Sequence, residues 1–387
     1  MNVMEAVIII GTGIAAYTLA REFRKLDATS PLVLITEDDG RSYPKPMLSN
    51  ALTKGKTADQ IAMFDAQAMA VKLDATILTH TVVTTIDPEA KQISMSDGQL
   101  LAYGQLVLAV GAKPIRIPID GDAADEVLSV NNLADYALFR DTLIDAKRVA
   151  IIGPGLIGCE FANDLINVGI AVSVIGPSLL PMDALLPTPI AEELKMTLAD
   201  AGVDWHFETS TQSINHSDST YEITLTNGDK LNADVVISAV GLRANTALAS
   251  SAGLNLNRGI VTNEFLQTSQ PNIYALGDCA EVSGHNLLFI APIMAAAKAL
   301  AKTLAGELTA VKYPAMPVAV KTPSYPLITA PPARDAVGEW KFEASPSGFG
   351  IKGLFVAANE DLLGFVLSGD MVSEKGAFAK QLPDVLN

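Results

Sequence analysis

Two glycine-rich loops, each between an apolar strand-like run and a helix-like run, constrain the fold of this 387-residue chain more than any other feature. Their small residues are Gly11, Gly13 and Ala16 in the first loop and Gly153, Gly155 and Gly158 in the second. In such loops the first glycine makes the turn, the second lets the backbone approach a pyrophosphate, and the third small residue lets helix and strand pack closely. The helix N-terminus adds amide donors and partial positive charge. Two such loops predict two dinucleotides and electron transfer between them.

Charge and cysteine content exclude several classes of function. The chain has 27 basic and 43 acidic residues and a net charge of −16, which argues against nucleic acid and anionic membranes as partners. Its two cysteines, Cys159 and Cys279, are far apart and form no CxxC motif, so a disulfide scaffold or thiolate metal cluster is not expected. The N-terminus shows no signal-peptide pattern, and we expect a cytoplasmic protein.

The histidines give no sign of a metal site. The chain contains His80, His206, His216 and His285. None of these is spaced from another as metal ligands usually are, so we interpret all four as structural or surface residues. We therefore predict that the protein binds no metal.

Five segments, read in order, resemble one enzyme family. They are GTGIAA at 11–16, LAVGAKP at 108–114, GPGLIGCE at 153–160, AVGLRANT at 239–246 and IYALGDCAE at 273–281. Together they resemble the pyridine nucleotide:flavin oxidoreductases with two dinucleotide-binding folds. SYPKPMLSN at 42–50 and VKTP at 320–323 narrow the resemblance to the reductases that pass electrons from NADH to the small iron protein rubredoxin.

The resemblance implies an α/β protein with two Rossmann-like dinucleotide-binding domains of the glutathione-reductase type and a small C-terminal α+β domain. FAD would bind the first domain and NADH the second. The implied FAD-binding domain is discontinuous, and the implied boundaries are 1–112 and 242–320 for FAD, 113–241 for NADH and 321–387 for the C-terminal domain.

The first unit carries most of the implied FAD contacts. A carboxylate after the second strand should bind a ribose hydroxyl; Glu37 and Asp38 both fit, and we prefer Glu37. Asp278 matches the residue that hydrogen-bonds a ribityl hydroxyl. The remaining implied contacts are a backbone contact of Val83 to adenine, Gly111 in the LAVGAKP segment, and amides near Ile290, where a helix predicted from Pro292 would point its N-terminus at the flavin.

Three charged residues match positions that tune the flavin. Lys45 matches a family lysine near flavin N5, where a cation favours the reduced flavin. Glu160 matches a glutamate that pairs with that lysine and orients nicotinamide. Lys321 is implied either as a flavin contact or as a docking charge.

The second unit departs from the pattern at the ribose. Its second strand ends at Ile175 and is followed by 176–178, Gly-Pro-Ser, which contains no carboxylate for a ribose and no basic cluster for a 2′-phosphate. The resemblance favours NADH, but the residues alone leave NADH and NADPH open. Gly241, which ends an apolar strand, is the expected close approach on the nicotinamide side.

The route by which electrons leave the flavin follows from what the sequence lacks. It contains no redox-active cysteine pair, and the stretch 48–50, Leu-Ser-Asn, lacks the cysteine that related oxidases and peroxidases carry. Electrons should therefore leave the flavin directly. The resemblance implies rubredoxin as their acceptor, docked transiently on a basic patch for which Lys45, Arg41 and Lys321 are candidates.

Two alternatives remain: a reductase of a [2Fe–2S] ferredoxin that serves an oxygenase, and a flavin- and NADH-sensing interaction protein. The sequence leaves the downstream pathway open between alkane degradation and defence against oxygen or peroxide. Because the C-terminal segment is short, we expect a monomer.

Overall fold

The first glycine loop belongs to a five-stranded parallel sheet. The computed structural model describes residues 6–386. The strands lie in the order Ile273–Ala275, Gln105–Leu108, Val7–Ile10, Leu32–Ile35 and Thr76–Leu78. Val7–Ile10 is buried along its whole length at the sheet centre, as a continuous apolar run in a parallel sheet should be. The long helices Ile14–Arg24 and Ile290–Leu304 pack against each other.

The second glycine loop belongs to a four-stranded parallel sheet built on the same plan. Its strands lie in the order Val203–His206, Ala171–Ile175, Arg148–Ile152 and Val235–Ser238. Its longer helices are Leu133–Thr142, Leu156–Ile166 and Thr188–Asp200.

A three-stranded antiparallel sheet accompanies each unit. The first comprises Val83–Asp87, Gln92–Met95 and Leu100–Ala102, and the second comprises Thr211–Ser217, Thr220–Leu225 and Lys230–Ala233. The second contains the hairpin that the alternating sequence and the Asn-Gly turn at 227–228 predict. A small parallel pair, Ile260–Thr262 with Ala280–Val282, completes this part of the chain.

The chain passes between the two parallel sheets through one narrow ribbon. Ala112–Pro114 leaves the first sheet and pairs antiparallel with Leu242–Ala244, which returns to it. The strand Ile273–Ala275 then adds to the edge of the first sheet beside Gln105–Leu108. The first layer is therefore built from two separate stretches of sequence.

The final part of the chain forms a five-stranded antiparallel sheet. Its order is Val318–Val320, Leu327–Ala330, Leu362–Ser368, Ile351–Val356 and Glu339–Ala344. Val320, Tyr325 and Leu327 are buried in the same apolar cluster as Cys159 and Leu48. The sheet therefore packs onto the second unit and onto the segment that follows Lys45.

One helix begins earlier in the chain than the sequence predicts. The last long helix begins at Ile290, two residues before the predicted Pro292, because proline is tolerated in the first turn of a helix. The shorter helices are Ala58–Ile61, Ala66–Leu73, Ala247–Ser251 and Lys375–Ala379, with 3₁₀ turns at Lys45–Ser49, Ala124–Glu126, Gly277–Cys279 and Gly369–Glu374. Among residues 6–386, no helix has the length and apolarity needed to span a membrane.

Candidate functional site

The first glycine loop has the shape that a pyrophosphate requires. Gly11 has a φ of +120°, and a Cβ there would lie 2.3 Å from the Ala109 carbonyl oxygen, so this position accepts glycine alone. Gly13 caps the helix without a side-chain hydrogen bond, and nothing lies within 4 Å of where its Cβ would be. Ala16 is fully buried against the sheet. The loop therefore presents free amides beside open space.

The second loop repeats this geometry with tighter helix packing. Gly153 has a φ of +111°, and its Cβ would lie 2.7 Å from the Ala239 carbonyl oxygen. A Cβ on Gly158 would lie 1.9 Å from the Gly153 oxygen, whereas Gly155 again faces open space at an uncapped helix N-terminus. Both loops fit the diphosphate of a dinucleotide.

The two carboxylates considered for the FAD ribose have different surroundings. The Asp38 carboxylate accepts hydrogen bonds from the Thr36 hydroxyl (2.8 Å), the Gly40 amide (2.9 Å) and the Thr12 hydroxyl (3.3 Å). Asp38 therefore holds the loop together. Glu37 is exposed, and its carboxylate accepts no hydrogen bond from residues 6–386. Glu37 has the free carboxylate that a ribose would need, and its role remains a prediction.

Lys45 and Asp278 lie close enough for each charge to affect the other. Burial lowers the pKa of Lys45, and the Asp278 charge partly opposes this. Burial also raises the pKa of Asp278, and Lys45 partly opposes that shift. Among the described residues, neither group forms an ion pair within 4.0 Å, although each is half-buried. Two neighbouring charges that form no ion pair with each other are compatible with a polar cofactor at this site.

The remaining predicted FAD contacts lie at element ends. Ile290 begins a 15-residue helix whose N-cap, Phe289, provides no side-chain cap, so its first amides are available. Gly277, with φ +79°, brings the Asp278 turn against Ala15 of the first glycine-loop helix. Val83 begins the first strand of the accompanying antiparallel sheet.

Gly111 and Gly241 each precede one strand of the connecting ribbon and, because the strands are antiparallel, lie at its opposite ends. Gly111 has a φ of +67° and accepts a hydrogen bond from the Asn245 amide (2.9 Å). Gly241 has a φ of +109° and accepts one from the Ile115 amide (3.0 Å). Both positions need the left-handed backbone that glycine adopts readily. Their place at the passage between the two sheets is compatible with the predicted cofactor contacts, which stay predictions.

Glu160 pairs with Lys321 and not with Lys45, so that predicted ion pair is wrong. The Glu160 carboxylate is buried, with 1 % of its side chain exposed, and binds the Lys321 ammonium group. It also accepts hydrogen bonds from the Ser49 hydroxyl (2.6 Å) and the Lys321 backbone amide (2.9 Å). The C-terminal sheet inserts Lys321 between the other two segments, a long-range contact that local sequence does not encode.

The predicted basic docking patch also needs correction. Arg41 is bound by Asp39 (2.6 Å) and Asp59 (2.7 Å), and Lys321 is bound by Glu160. Lys45 is half-buried at the candidate flavin site. These three cations therefore do not form a free positive surface.

A groove opens beside Lys321 where the three parts of the chain meet. We name this cavity of about 350 Å³ the junction groove. It is lined by Asn50, Thr53, Lys54, Asp164, Asn167, Val372 and residues 319–323 and 326–328. Lys54 is exposed at the groove, and the Lys321 side chain is 25 % exposed. Because the Lys321 charge is paired with Glu160, Lys54 provides the accessible positive charge on this surface.

The sequence analysis did not predict a row of polar helix side chains that form hydrogen bonds across this junction. Asp164 accepts hydrogen bonds from the amides of Leu52 (3.0 Å) and Thr53 (2.9 Å), and Asn163 binds Ser324 (2.9 Å). These residues share a helix face with Glu160, at spacings of three and four. Acidic and amide side chains at that spacing on an otherwise apolar helix indicate a helix face that forms polar contacts with other segments.

Both cysteines are buried and free. Burial raises the pKa of Cys279 to about 12 and that of Cys159 higher still, so neither is a thiolate at neutral pH. His206 and His216 lie beside the surface carboxylates Asp204 and Glu126. Residues 6–386 contain no cluster of histidine, cysteine and acidic side chains that could hold a metal ion.

Comparison with known sequences gives two family matches. The family described as pyridine nucleotide-disulphide oxidoreductase matches residues 5–303, and the rubredoxin binding C-terminal domain matches residues 310–382. A rubredoxin-NAD(+) reductase of Alcanivorax borkumensis is 46 % identical over 384 residues, which cover 99 % of this chain and 100 % of the relative. A rubredoxin-NAD(+) reductase of Acinetobacter baylyi is 45 % identical over 391 residues, covering 99 % of each.

Solved structures share the fold. The putidaredoxin reductase–putidaredoxin complex matches with a TM-score of 0.87 and 25 % identity, covering 99 % of this chain and 94 % of that one. The NADH:rubredoxin oxidoreductase of Clostridium acetobutylicum matches with a TM-score of 0.81 and 21 % identity, covering 98 % and 94 %. With its α/β fold of two glycine-loop units and a C-terminal sheet, the chain belongs to the pyridine nucleotide-disulphide oxidoreductase family.

Proposed function

We propose that this protein is an FAD-dependent reductase that takes a hydride from NADH and passes single electrons to rubredoxin. The observation that carries the proposal is the contact among Glu160, Ser49 and Lys321. It joins the helix of the second glycine loop, the 3₁₀ turn that begins at Lys45, and the segment that matches a rubredoxin-binding domain. This contact supports a proposed arrangement in which the NADH site, the flavin site and the rubredoxin site lie next to one another.

Each unit has a separate part in this proposal. The first loop and Glu37 hold the adenosine diphosphate of FAD, and Asp278 binds its ribityl chain. FAD, when bound, accepts a hydride as an electron pair and releases electrons one at a time. Lys45 and the uncapped helix N-terminus at Ile290 provide positive potential for the charge that this places on the flavin ring. The second loop binds NADH, and Glu160 positions the contact between the units.

The junction groove is the proposed docking surface for rubredoxin. Lys45 and Ser49 are the two ends of one 3₁₀ turn, and a rise of about 2 Å per residue puts them about 8 Å apart along its axis. The groove therefore lies near the flavin site. Lys54, which is exposed in the groove, supplies positive charge there for an acidic partner. Such a contact should be small, transient and weakened by salt.

Parallel turnover assays test the proposal against its alternatives. The purified yellow protein is supplied with NADH and either rubredoxin or a [2Fe–2S] ferredoxin, over a range of ionic strength. We expect fast reduction of rubredoxin, slow reduction of ferredoxin, and a rubredoxin rate that falls with salt. Preferential reduction of ferredoxin would favour a ferredoxin reductase that serves an oxygenase. Negligible turnover with either acceptor would favour a flavin- and NADH-sensing interaction protein.

One variant pair tests the docking surface. Lys54→Glu should lower the second-order rate of rubredoxin reduction about tenfold and flatten its salt dependence. Lys72→Glu, at an exposed lysine outside the groove, is the matched control and should leave both unchanged. Equal effects of the two changes would remove the groove from the proposal.

We also propose a cytoplasmic location, which agrees with two free buried cysteines and a nicotinamide substrate.

A further inference from the structure

The loops that follow neighbouring strands are joined in the same way in both units. In the first unit, the Thr36 amide donates to the Leu78 carbonyl (2.9 Å) and the Thr81 amide donates to the Thr36 carbonyl (2.8 Å). Between them, the His80 amide donates to the Asp38 carbonyl (2.9 Å), and His80 has a φ of +51°. A left-handed residue thus lies beside the edge at which the ribose carboxylate is predicted.

The second unit repeats this pattern residue for residue. The Gly176 amide donates to the His206 carbonyl (3.0 Å), and the Thr209 amide donates to the Gly176 carbonyl (3.4 Å). Glu208 takes the place of the left-handed residue, with a φ of +57° and its amide donating to the Ser178 carbonyl (3.1 Å). Few non-glycine residues adopt this conformation, and those that do often lie at functional sites.

The residues that follow the second strand of this unit carry no carboxylate for a ribose: in the shared hydrogen-bond pattern, Gly176 corresponds to Thr36 and Pro177 corresponds to Glu37. A Cβ on Gly176 would lie 2.2 Å from Cδ of Pro154, which stands inside the second glycine loop. No side chain can therefore extend from residue 176 while the loop keeps this proline. A carboxylate for this ribose must come from another element.

Glu208 is the acidic residue held at that edge. In a parallel sheet the carboxyl ends of neighbouring strands meet at one edge, where dinucleotides bind. Glu208 follows the strand Val203–His206, whose neighbour Ala171–Ile175 ends next to Gly176. Its side chain is exposed and accepts no hydrogen bond from residues 6–386. A free carboxylate here can accept hydrogen bonds from two vicinal hydroxyls and would repel a phosphate.

We propose that the Glu208 carboxylate binds the adenosine ribose of NADH and disfavours the 2′-phosphate of NADPH, thus replacing the carboxylate that neither Gly176 nor Pro177 supplies. This inference rests on the proposed placement of NADH on the second unit. It makes a residue from the neighbouring loop the determinant of nucleotide preference.

Calorimetric binding of NAD⁺ and NADP⁺ to the flavin-loaded protein tests the inference without turnover. We compare wild type with Glu208→Gln, which keeps the shape, and Glu208→Gly, which adopts a φ near +57° without strain. Asp204→Asn is the control, because Asp204 is a 67 % exposed carboxylate on the same strand and is paired with His206. The melting temperature of each variant checks the fold.

We expect NAD⁺ to bind about tenfold more weakly to both Glu208 variants, as the loss of a charged hydrogen-bond partner implies. The affinity of the Glu208 variants for NADP⁺ should stay constant or increase, so their preference for NAD⁺ over NADP⁺ should decrease. The Asp204→Asn variant should bind both nucleotides as the wild type does. Unchanged NAD⁺ binding in the Glu208 variants would overturn the inference, as would wild-type binding of NADP⁺ as tight as that of NAD⁺. A wild-type protein that binds neither nucleotide would instead overturn the proposed function.

Discussion

The two glycine-loop units share their phosphate-facing backbone and differ where a ribose would bind. Both have a left-handed first glycine, an uncapped helix N-terminus and the same hydrogen bonds between neighbouring loops. The first unit follows its second strand with Thr36 and three acidic residues, 37–39, whereas the second follows it with Gly-Pro-Ser at 176–178. The phosphate site is set by backbone geometry that any copy of the fold must keep, while the ribose site depends on replaceable side chains.

The units also differ in the contacts that their glycine-loop helices make with the rest of the protein. The first glycine-loop helix packs on the helix Ile290–Leu304 of the same layer. The second presents Glu160 and Asp164 to segments from elsewhere in the chain. The second unit is therefore the one whose polar face organises the junction with the C-terminal sheet.

The largest expected effect comes from adding a methyl group to the first glycine of each unit. Gly11→Ala should destabilise the protein by about 3 kcal/mol or more and abolish FAD binding, because it adds backbone strain and a clash. Gly153→Ala carries similar strain and should leave a yellow protein that NADH does not reduce. Melting temperature, flavin absorbance and anaerobic reduction by NADH measure these outcomes.

Gly169→Ala is the control for those two variants. Gly169 has a φ of +84°, but nothing lies within 4 Å of its Cβ position, so its replacement adds strain without a clash. It should cost about 1 kcal/mol and leave flavin content and reduction unchanged. If Gly153→Ala loses its flavin while Gly11→Ala keeps it, the assignment of cofactors to units is reversed.

The next effect tests the charge at the flavin site. Lys45→Met should slow flavin reduction by NADH by roughly 10²-fold, because the positive charge that stabilises the developing negative charge is removed. Burial lowers the pKa of Lys45 from 10.5, so the wild-type rate should fall as pH rises through this lowered pKa. The variant should lack that alkaline decline. A stopped-flow pH profile measures both, and an alkaline decline unchanged in Lys45→Met would refute the role.

The junction of the three segments is tested by stability. Glu160→Gln should lower the free energy of unfolding by about 1–3 kcal/mol, less than for a fully buried pair because Lys321 is 25 % exposed. Glu343→Gln removes a carboxylate from another lysine, Lys352, at a 62 % exposed site, and should change stability by less than about 0.5 kcal/mol. Equal losses in denaturant unfolding would mean that the Glu160 contact does not fasten the junction.

The smallest expected effect is that of a thiol reagent on the two cysteines. Because both thiols are buried and Cys279 has a pKa of about 12, a thiol reagent at pH 8 should leave the folded protein unmodified and active. Both thiols should react after unfolding in denaturant. Rapid inactivation of the folded protein would show that a cysteine thiol is accessible and reactive in the folded state.

Local patterns in the sequence predicted the repeating elements well. The strands Leu32–Ile35 and Ala171–Ile175 coincide with apolar runs bounded by turn residues, which carry their own signal. Contacts between distant segments were not predictable in this way. The partner of Glu160 is 161 residues away, and the neutralisation of Arg41 by Asp59 depends on how an intervening loop folds. The steric closure at Gly176 likewise needed the position of Pro154.

The most direct test of electron transfer from NADH through the flavin to rubredoxin is a double-mixing stopped-flow experiment. The protein is first mixed with one equivalent of NADH without oxygen and then with oxidised rubredoxin, while flavin and rubredoxin absorbance are followed. We expect rapid bleaching of the flavin in the first step and its recovery at the rate of rubredoxin reduction in the second, slowed by salt. Flavin bleaching followed by no transfer to rubredoxin would contradict the proposed function.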